Sequence, residues 1–206
     1  MTRRVVLATR NVGKLAELRR ILDGAAGLDV ELVGLDQLPE IGEVPETGRT
    51  FADNALGKAQ AVASATGLPA VADDSGLTVE ALNGMPGVLS ARWCGRHGDD
   101  AANLALVLGQ LDTLPDDRRG AAFVCAAAAV VPGSGERVVE GRLDGVLART
   151  PRGGNGFGYD PIFVPLGSAR TTAQLAPAEK DVISHRGIAF RRLAPYLAEL
   201  LRRPST

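Results

Sequence analysis

Lysine is nearly absent from this 206-residue sequence: Lys14, Lys58 and Lys180 stand against 20 arginines. Two readings fit the three survivors. Either composition alone left them, or they mark positions where a compact point charge is needed and the planar fork of arginine does not serve. Cysteine is scarcer still. Cys94 and Cys125 lack CxxC spacing and are too few for a disulfide framework. With His97 and His185 they match no zinc-ligand spacing, and Cys125, inside an apolar run, reads as a small core residue. No apolar run approaches the ~20 residues of a membrane span. The N-terminal apolar stretch, Val5–Ala8, falls short of the roughly 7–15 residues of a secretory signal. The chain therefore reads as cytoplasmic, with no membrane partner. An excess of one charge is missing too: 24 acidic and 23 basic residues leave a net charge of −1. That balance argues against nucleic acid as a partner, because such binders carry a clearly basic footprint.

What is present is enough for a folded core, since 45% of the residues are apolar and 23% charged. The length fits one domain over residues 1–206, at most with a lobed extension. Val5–Ala8 predicts a buried strand ending in a polar turn, followed by a helix opening at Lys14 with Leu15, Leu18 and Leu22 on one face. A second strand is expected over Val30–Leu35, then a polar loop from Pro39 to Arg49 carrying Glu40, Glu43 and Glu46. Thr50, with Asp53 three residues on, predicts the N-cap of a helix over Phe51–Thr66. A short strand over Ala70–Ala72 should run into Asp73-Asp74-Ser75-Gly76. Beyond it, the pattern predicts a helix over Asp100–Leu111 and strands over Ala121–Val131 and Arg137–Asp144 joined by a Pro132–Gly135 hairpin turn. A glycine-rich loop from Gly153 to Asp160, a strand over Ile162–Val164 and a helix from Ser184 to Arg203 complete the chain. Pro195 inside that helix predicts a kink or a break. The class is α/β with a mixed sheet.

Five segments could carry chemistry. The turn Thr9-Arg10-Asn11-Val12-Gly13-Lys14 sets backbone N–H groups and a lysine at a helix start, which suits an anion, although the spacing is not that of a P-loop. Asn54 and Lys58 share one face of their helix, with Glu46 one short loop upstream. Asp73 and Asp74 follow an apolar strand, where ligand sites of α/β proteins lie. Carboxylates there suit Mg2+, and alternation along a strand gives the two acids different tasks, one structural and one facing the site. A plain Asp-rich turn fits the same residues. In Gly153–Asp160 the glycines allow close backbone approach and leave Phe157 exposed for stacking on a flat ring. Lys180, His185 and Arg186 precede or open the last helix, and the last two offer donors to a carbonyl-bearing base edge.

Taken in order, TRNVGK, ETGRTFADNALGKA, ADDSGL, GMPGVLSARW, GFGYDPIF and SHRG resemble the inosine/xanthosine triphosphate pyrophosphatase family, from Val5 to about Leu200. The resemblance implies an elongated mixed α/β fold of two lobes flanking a nucleotide-binding cleft, usually in a homodimer. It implies Mg2+-dependent hydrolysis of ITP, dITP and XTP to the monophosphate and pyrophosphate, with Mn2+ as a substitute metal. Carried over by position, Thr9, Arg10, Asn11, Val12, Gly13, Lys14 and Lys58 would bind the triphosphate. Arg10 stands where the family often has a small residue. Glu46 and Asp74 would face the metal, with Asp74 as general base and Ser75 touching the substrate. Phe157, Gly158, Tyr159, Asp160 and Lys180 would hold sugar and base, and His185 and Arg186 would read the 6-oxo edge. Two other readings are a nucleotide-binding module without hydrolysis and a related pyrophosphatase of modified pyrimidine or methylated nucleotides. The paired acids disfavour the first, and SHRG with GFGYD disfavours the second.

Overall fold

Buried Val5, Val6 and Leu7 build the first strand, β1 (Arg3–Leu7), in a computed structural model that describes residues 3–23, 30–38, 41–42 and 44–202. It is followed by α1 (Val12–Asp23), β2 (Val30–Gly34), α2 (Phe51–Thr66), β3 (Ala70–Val79) and α3 (Asp100–Gln110). Then come β4 (Gly120–Val131), β5 (Gly135–Leu147), β6 (Phe163–Pro165), α4 (Pro177–Ile183) and α5 (His185–Arg202). The strands hydrogen-bond in the order β2-β1-β3-β4-β5-β6. β1 pairs parallel with β2 and β3, and β5 antiparallel with β6, so the α/β fold has the expected mixed sheet. Of the loop expected over residues 39–49, Pro39, Glu40 and Glu43 lie outside the described residues, as does Arg203.

The chain divides into two compact units: Met1–Asp74 with Cys125–Gly141 and Arg186–Thr206, and Ser75–Val124 with Arg142–His185. Period-2 alternation sorts the core of the first unit. Val5, Leu7, Val71, Cys125, Ala127 and Ala129 pack with Leu18 and Leu22 of α1 and Leu193 and Leu197 of α5. Val6, Ala8, Ala70, Ala72, Ala126 and Ala128 face the other way, onto Ala55, Ala59 and Val62 of α2. Small residues on β3 and β4 let these helices lie close to the strands. The second unit has its own core around Leu77, Val107, Phe123, Ile162 and Phe163. There the buried Arg119 guanidinium donates to the carbonyls of Leu111, Leu147 and Ala148, tying the end of α3 to the end of β5.

Two expectations need correction. The strand expected over Ala70–Ala72 does not stop there, nor do the acids form the competing turn: β3 continues through Asp73 and Asp74 to Val79, because partners from helices neutralise charges that would otherwise end a buried strand. Of the kink or break expected at Pro195, the break is absent, and the last helix runs from His185 to Arg202. Pro195 cannot donate to the carbonyl of Arg191, yet both residues are exposed, so water can serve that carbonyl.

Candidate active site

Alternation along β3 carries Asp73 and Asp74 to opposite faces, and each meets the helix packed on its side. Asp73 shares the face of Val71, toward α1 and α5. Its Oδ2 lies 3.1 Å from Lys14 Nζ and accepts from Arg186 Nε at 3.2 Å. Arg186 Nη1 in turn donates to Glu17, three residues after Lys14 on α1. Glu17, Asp73 and Arg186 are all buried, and with Lys14 they balance two negative charges against two positive ones. Burial opposes ionisation of Asp73, but Lys14, Arg186 and Lys58 outweigh it and hold the carboxyl well below the usual carboxylate range.

Asp74 shares the face of Ala70 and Ala72, toward α2. Asn54 Nδ2 donates to its Oδ2 at 2.8 Å, and its Oδ1 lies 3.8 Å from Lys58 Nζ. The same ammonium donates to Glu46 Oε1 at 2.7 Å. Burial pushes the Asp74 carboxyl above an ordinary aspartate; Glu46 adds to the rise, while Lys58 opposes without reversing it. Burial alone would lower the Lys58 pKa, but Asp73, Asp74 and Glu46 together raise it.

Local sequence explains why these groups are held. Thr50 and Asp53 form a capping box at the start of α2, and Gly67 closes its C-terminus in the left-handed conformation. Asn54 Oδ1 also accepts from Gly48 N at 2.7 Å, fixing the end of the loop that bears Glu46. A side chain at Gly48 would meet Asp53 Cβ at 2.5 Å and Asn54 Oδ1 at 2.7 Å. At the start of α1, Asn11 Oδ1 accepts from Lys14 N at 3.0 Å and Thr9 Oγ1 from Asn11 N at 3.2 Å. Val12 is 80% exposed, and Gly13 beside it is half-buried. Arg10 donates through Nη2 to the carbonyl of Ile41, on the stretch leading to Glu46.

The remaining predicted residues belong, except for Arg186, to the second unit. Ser75 follows Asp74 on β3 and is half-buried. In the glycine-rich loop, Asp160 accepts from Phe157 N at 2.9 Å, Thr172 Oγ1 at 2.7 Å and Lys180 Nζ at 2.6 Å. The Lys180 ammonium also stands 5.2 Å from the centre of the Phe157 ring. Phe157 is half-buried rather than fully exposed. Gly158 N donates to Asp100 Oδ2 at 2.8 Å. Tyr159 is turned inward, its hydroxyl donating to the Ser90 carbonyl at 2.9 Å. His185 is buried and stacks on Phe123, 4.8 Å between ring centres.

In the first unit, therefore, Glu46, Lys58 and Asp74 join one network of charges on the α2 face of β3, and Lys14, Asp73, Arg186 and Glu17 a second on the opposite face. Glu17 was missed in the sequence, and Asp73 was legible only as one of two acids with different tasks, without its partners. Asn54 was visible only as a neighbour of Lys58 on a helix face. Glu17 carried one signal, an acid three residues after a rare lysine.

A divalent cation fits the first unit. Among the described residues no group of three or more His, Cys, Asp or Glu gathers around a metal position. Glu46 and Asp74, however, already converge on one positive charge, and two hard oxygen donors suit Mg2+, which keeps other positions for water and phosphate. The arrangement can neutralise a polyanion with lysines and keep one carboxylate, of raised pKa, in reserve as a proton acceptor.

No helix among the described residues is long and apolar enough to cross a membrane. A dITP/XTP pyrophosphatase of Nocardia farcinica is 63% identical over 200 residues, 97% of each chain. The crystal structure of a nucleoside-triphosphatase / dITP/XTP pyrophosphatase from Mycobacterium abscessus is 61% identical, with a TM-score of 0.74 over 93% of this chain and 99% of that one. A HAM1 protein from Coxiella burnetii is 42% identical, with a TM-score of 0.84 over 96% of this chain and 100% of that one. Residues 5–196 match the Ham1 family, and the chain belongs to it.

Proposed function

We propose that this chain is a nucleoside-triphosphate pyrophosphatase that hydrolyses non-standard purine nucleotides, ITP, dITP and XTP, to the monophosphate and pyrophosphate in the cytoplasm. The observation that carries the reading is the separation of two adjacent acids by β3. Asp73 is neutralised by Lys14 and Arg186, and Asp74 is held by Asn54 beside the Lys58–Glu46 pair. The likeness to dITP/XTP pyrophosphatases supports the substrate class.

Backbone N–H groups from Asn11 to Lys14, with the ammonium groups of Lys14 and Lys58, receive the phosphates. Glu46 and Asp74 would hold Mg2+, for which Mn2+ could substitute. When bound, the metal supplies Lewis-acid neutralisation of phosphate charge. Asp74 takes a proton from the water that attacks the α-phosphorus, and Asn54 keeps its carboxylate from turning. Ser75 touches the substrate, and the loop from Phe157 to Asp160, braced by Lys180, holds sugar and base. His185 donates to the 6-oxo edge, where the amino group of adenine would set donor against donor. Arg186 joins it on that edge only when its guanidinium leaves Glu17 and Asp73. The assembly is a homodimer.

The deciding assay incubates the enzyme with ITP, XTP, dITP, GTP and ATP plus Mg2+ and measures pyrophosphate separately from orthophosphate. Pyrophosphate from the first three, with GTP and ATP far slower, is the expected result. Orthophosphate as the direct product overturns attack at the α-phosphorus, and no turnover of the 6-oxo purines overturns the substrate class.

A further inference from the structure

We propose that Lys58 is the resident counter-ion of the Glu46–Asp74 pair and keeps their cation position closed to a divalent metal until the phosphates of a nucleotide draw its ammonium away. The inference rests on the reading that Glu46 and Asp74 receive the metal. Lys58 Nζ lies 2.7 Å from Glu46 Oε1 and 3.8 Å from Asp74 Oδ1. A divalent ion between those oxygens would be driven against the ammonium at a few ångströms, in surroundings that screen charge far less than bulk water. The Lys58 side chain is only 12% exposed, so the carboxylates rather than solvent hold its charge.

Neighbouring contacts decide which group moves. Asn54 holds Asp74 by the oxygen that Lys58 does not face, and Asn54 is itself braced by Gly48 N. Among the described residues Lys58 Nζ pairs only with Glu46 and Asp74, and its charge rides on a four-carbon stem with several rotatable bonds. Lys14 cannot substitute as the mobile cation, because it sits on the opposite face of β3 against Asp73, which Arg186 also holds. A triphosphate, with about four negative charges, competes for the Lys58 ammonium more strongly than two carboxylates do. Moving the ammonium onto phosphate uncovers Glu46 and Asp74 together, so the chain accepts metal with its nucleotide rather than before it.

The test titrates nucleotide-free enzyme with Mn2+ and follows the free ion by electron paramagnetic resonance. Lys58→Gln should bind Mn2+ about tenfold tighter than wild type or more, and Lys58→Arg should keep the wild-type weakness. Equal affinity in wild type and Lys58→Gln overturns the proposal. Glu46→Gln added to Lys58→Gln should abolish the gained affinity; undiminished binding there would instead remove Glu46 from the metal site and defeat the underlying reading. A second measurement needs no variant. The chain has three lysines, so 13C-lysine labelling gives three Cε signals. Mg2+ alone should leave all three in place, whereas inorganic tripolyphosphate without metal should move those that meet phosphate. A lysine signal that shifts on Mg2+ alone contradicts the closed position.

Discussion

At Asp74, one carboxylate oxygen is held by Asn54 at 2.8 Å and the other faces Lys58 at 3.8 Å. Burial and the nearby Glu46 favour its protonated form. Those are the conditions for a group that must accept a proton during a reaction and shed it afterwards. Asp74→Asn keeps the size and the acceptor oxygen for Asn54 but cannot take a proton. Its kcat should fall by about 10²–10⁴-fold while nucleotide affinity stays near wild type. Equilibrium binding of a non-hydrolysable triphosphate, beside steady-state rates, separates the two, and near-normal kcat would remove Asp74 from the base role. Asp73→Asn should fail differently, through loosened Lys14 and weaker phosphate binding. The scarcity of lysine also reads more sharply at this scale. Lys14 pairs with Asp73, Lys58 with Glu46 and more distantly Asp74, and Lys180 with Asp160, so each of the three serves a buried or half-buried carboxylate.

Among the elements, α2 was the most legible. Thr50, Asp53 and the apolar spacing of Phe51–Thr66 predicted the helix with the bounds it has, because its capping box and its apolar stripe are both local signals. Thr50→Ala removes the acceptor for Asp53 N at 3.1 Å and should cost about 1 kcal/mol. In a chain of this size that lowers the melting temperature by roughly 2–4 °C in calorimetry, and Thr50→Ser should recover it. The far half of β3 was less legible. Two consecutive acids look like the end of a buried strand, and nothing local reveals that α1, α2 and α5 supply their counter-charges. The Arg186 contact with Asp73 spans 113 residues of sequence, beyond any spacing rule. The same limit hid the true surroundings of Arg186, whose place in SHRG suggested a base edge and whose guanidinium lies against Asp73 and Glu17. The break expected at Pro195 is absent for a simpler reason: exposure of that helix face leaves the freed carbonyl to water.

On the scale of the whole molecule, Asp73 makes acid stability predictable in sign. Its pKa in the folded protein lies below that of the unfolded chain, so it stabilises the fold above the ordinary carboxylate range and that stability is lost as pH falls beneath it. Melting temperature should decline steeply for wild type below about pH 4. Asp73→Asn should melt lower at neutral pH, because Lys14 and Arg186 lose their partner, yet decline less on acidification, so that the two curves converge. Parallel curves would show that other groups set the acid limit. Asp74, with the opposite shift, cannot account for such a decline. The pairing of Val6 with Ala70 and Leu7 with Val71 then takes on a meaning beyond packing. Were β3 to slide by a single residue along β1, every side chain on it would change face. Asp73 would arrive among the α2 residues and Asp74 among those of α1 and α5, two chemically identical groups trading occupations with no change in composition. Which aspartate meets Asn54 and Lys58, and so which one the proposed mechanism can use as its base, is thus chosen by a ladder of main-chain hydrogen bonds.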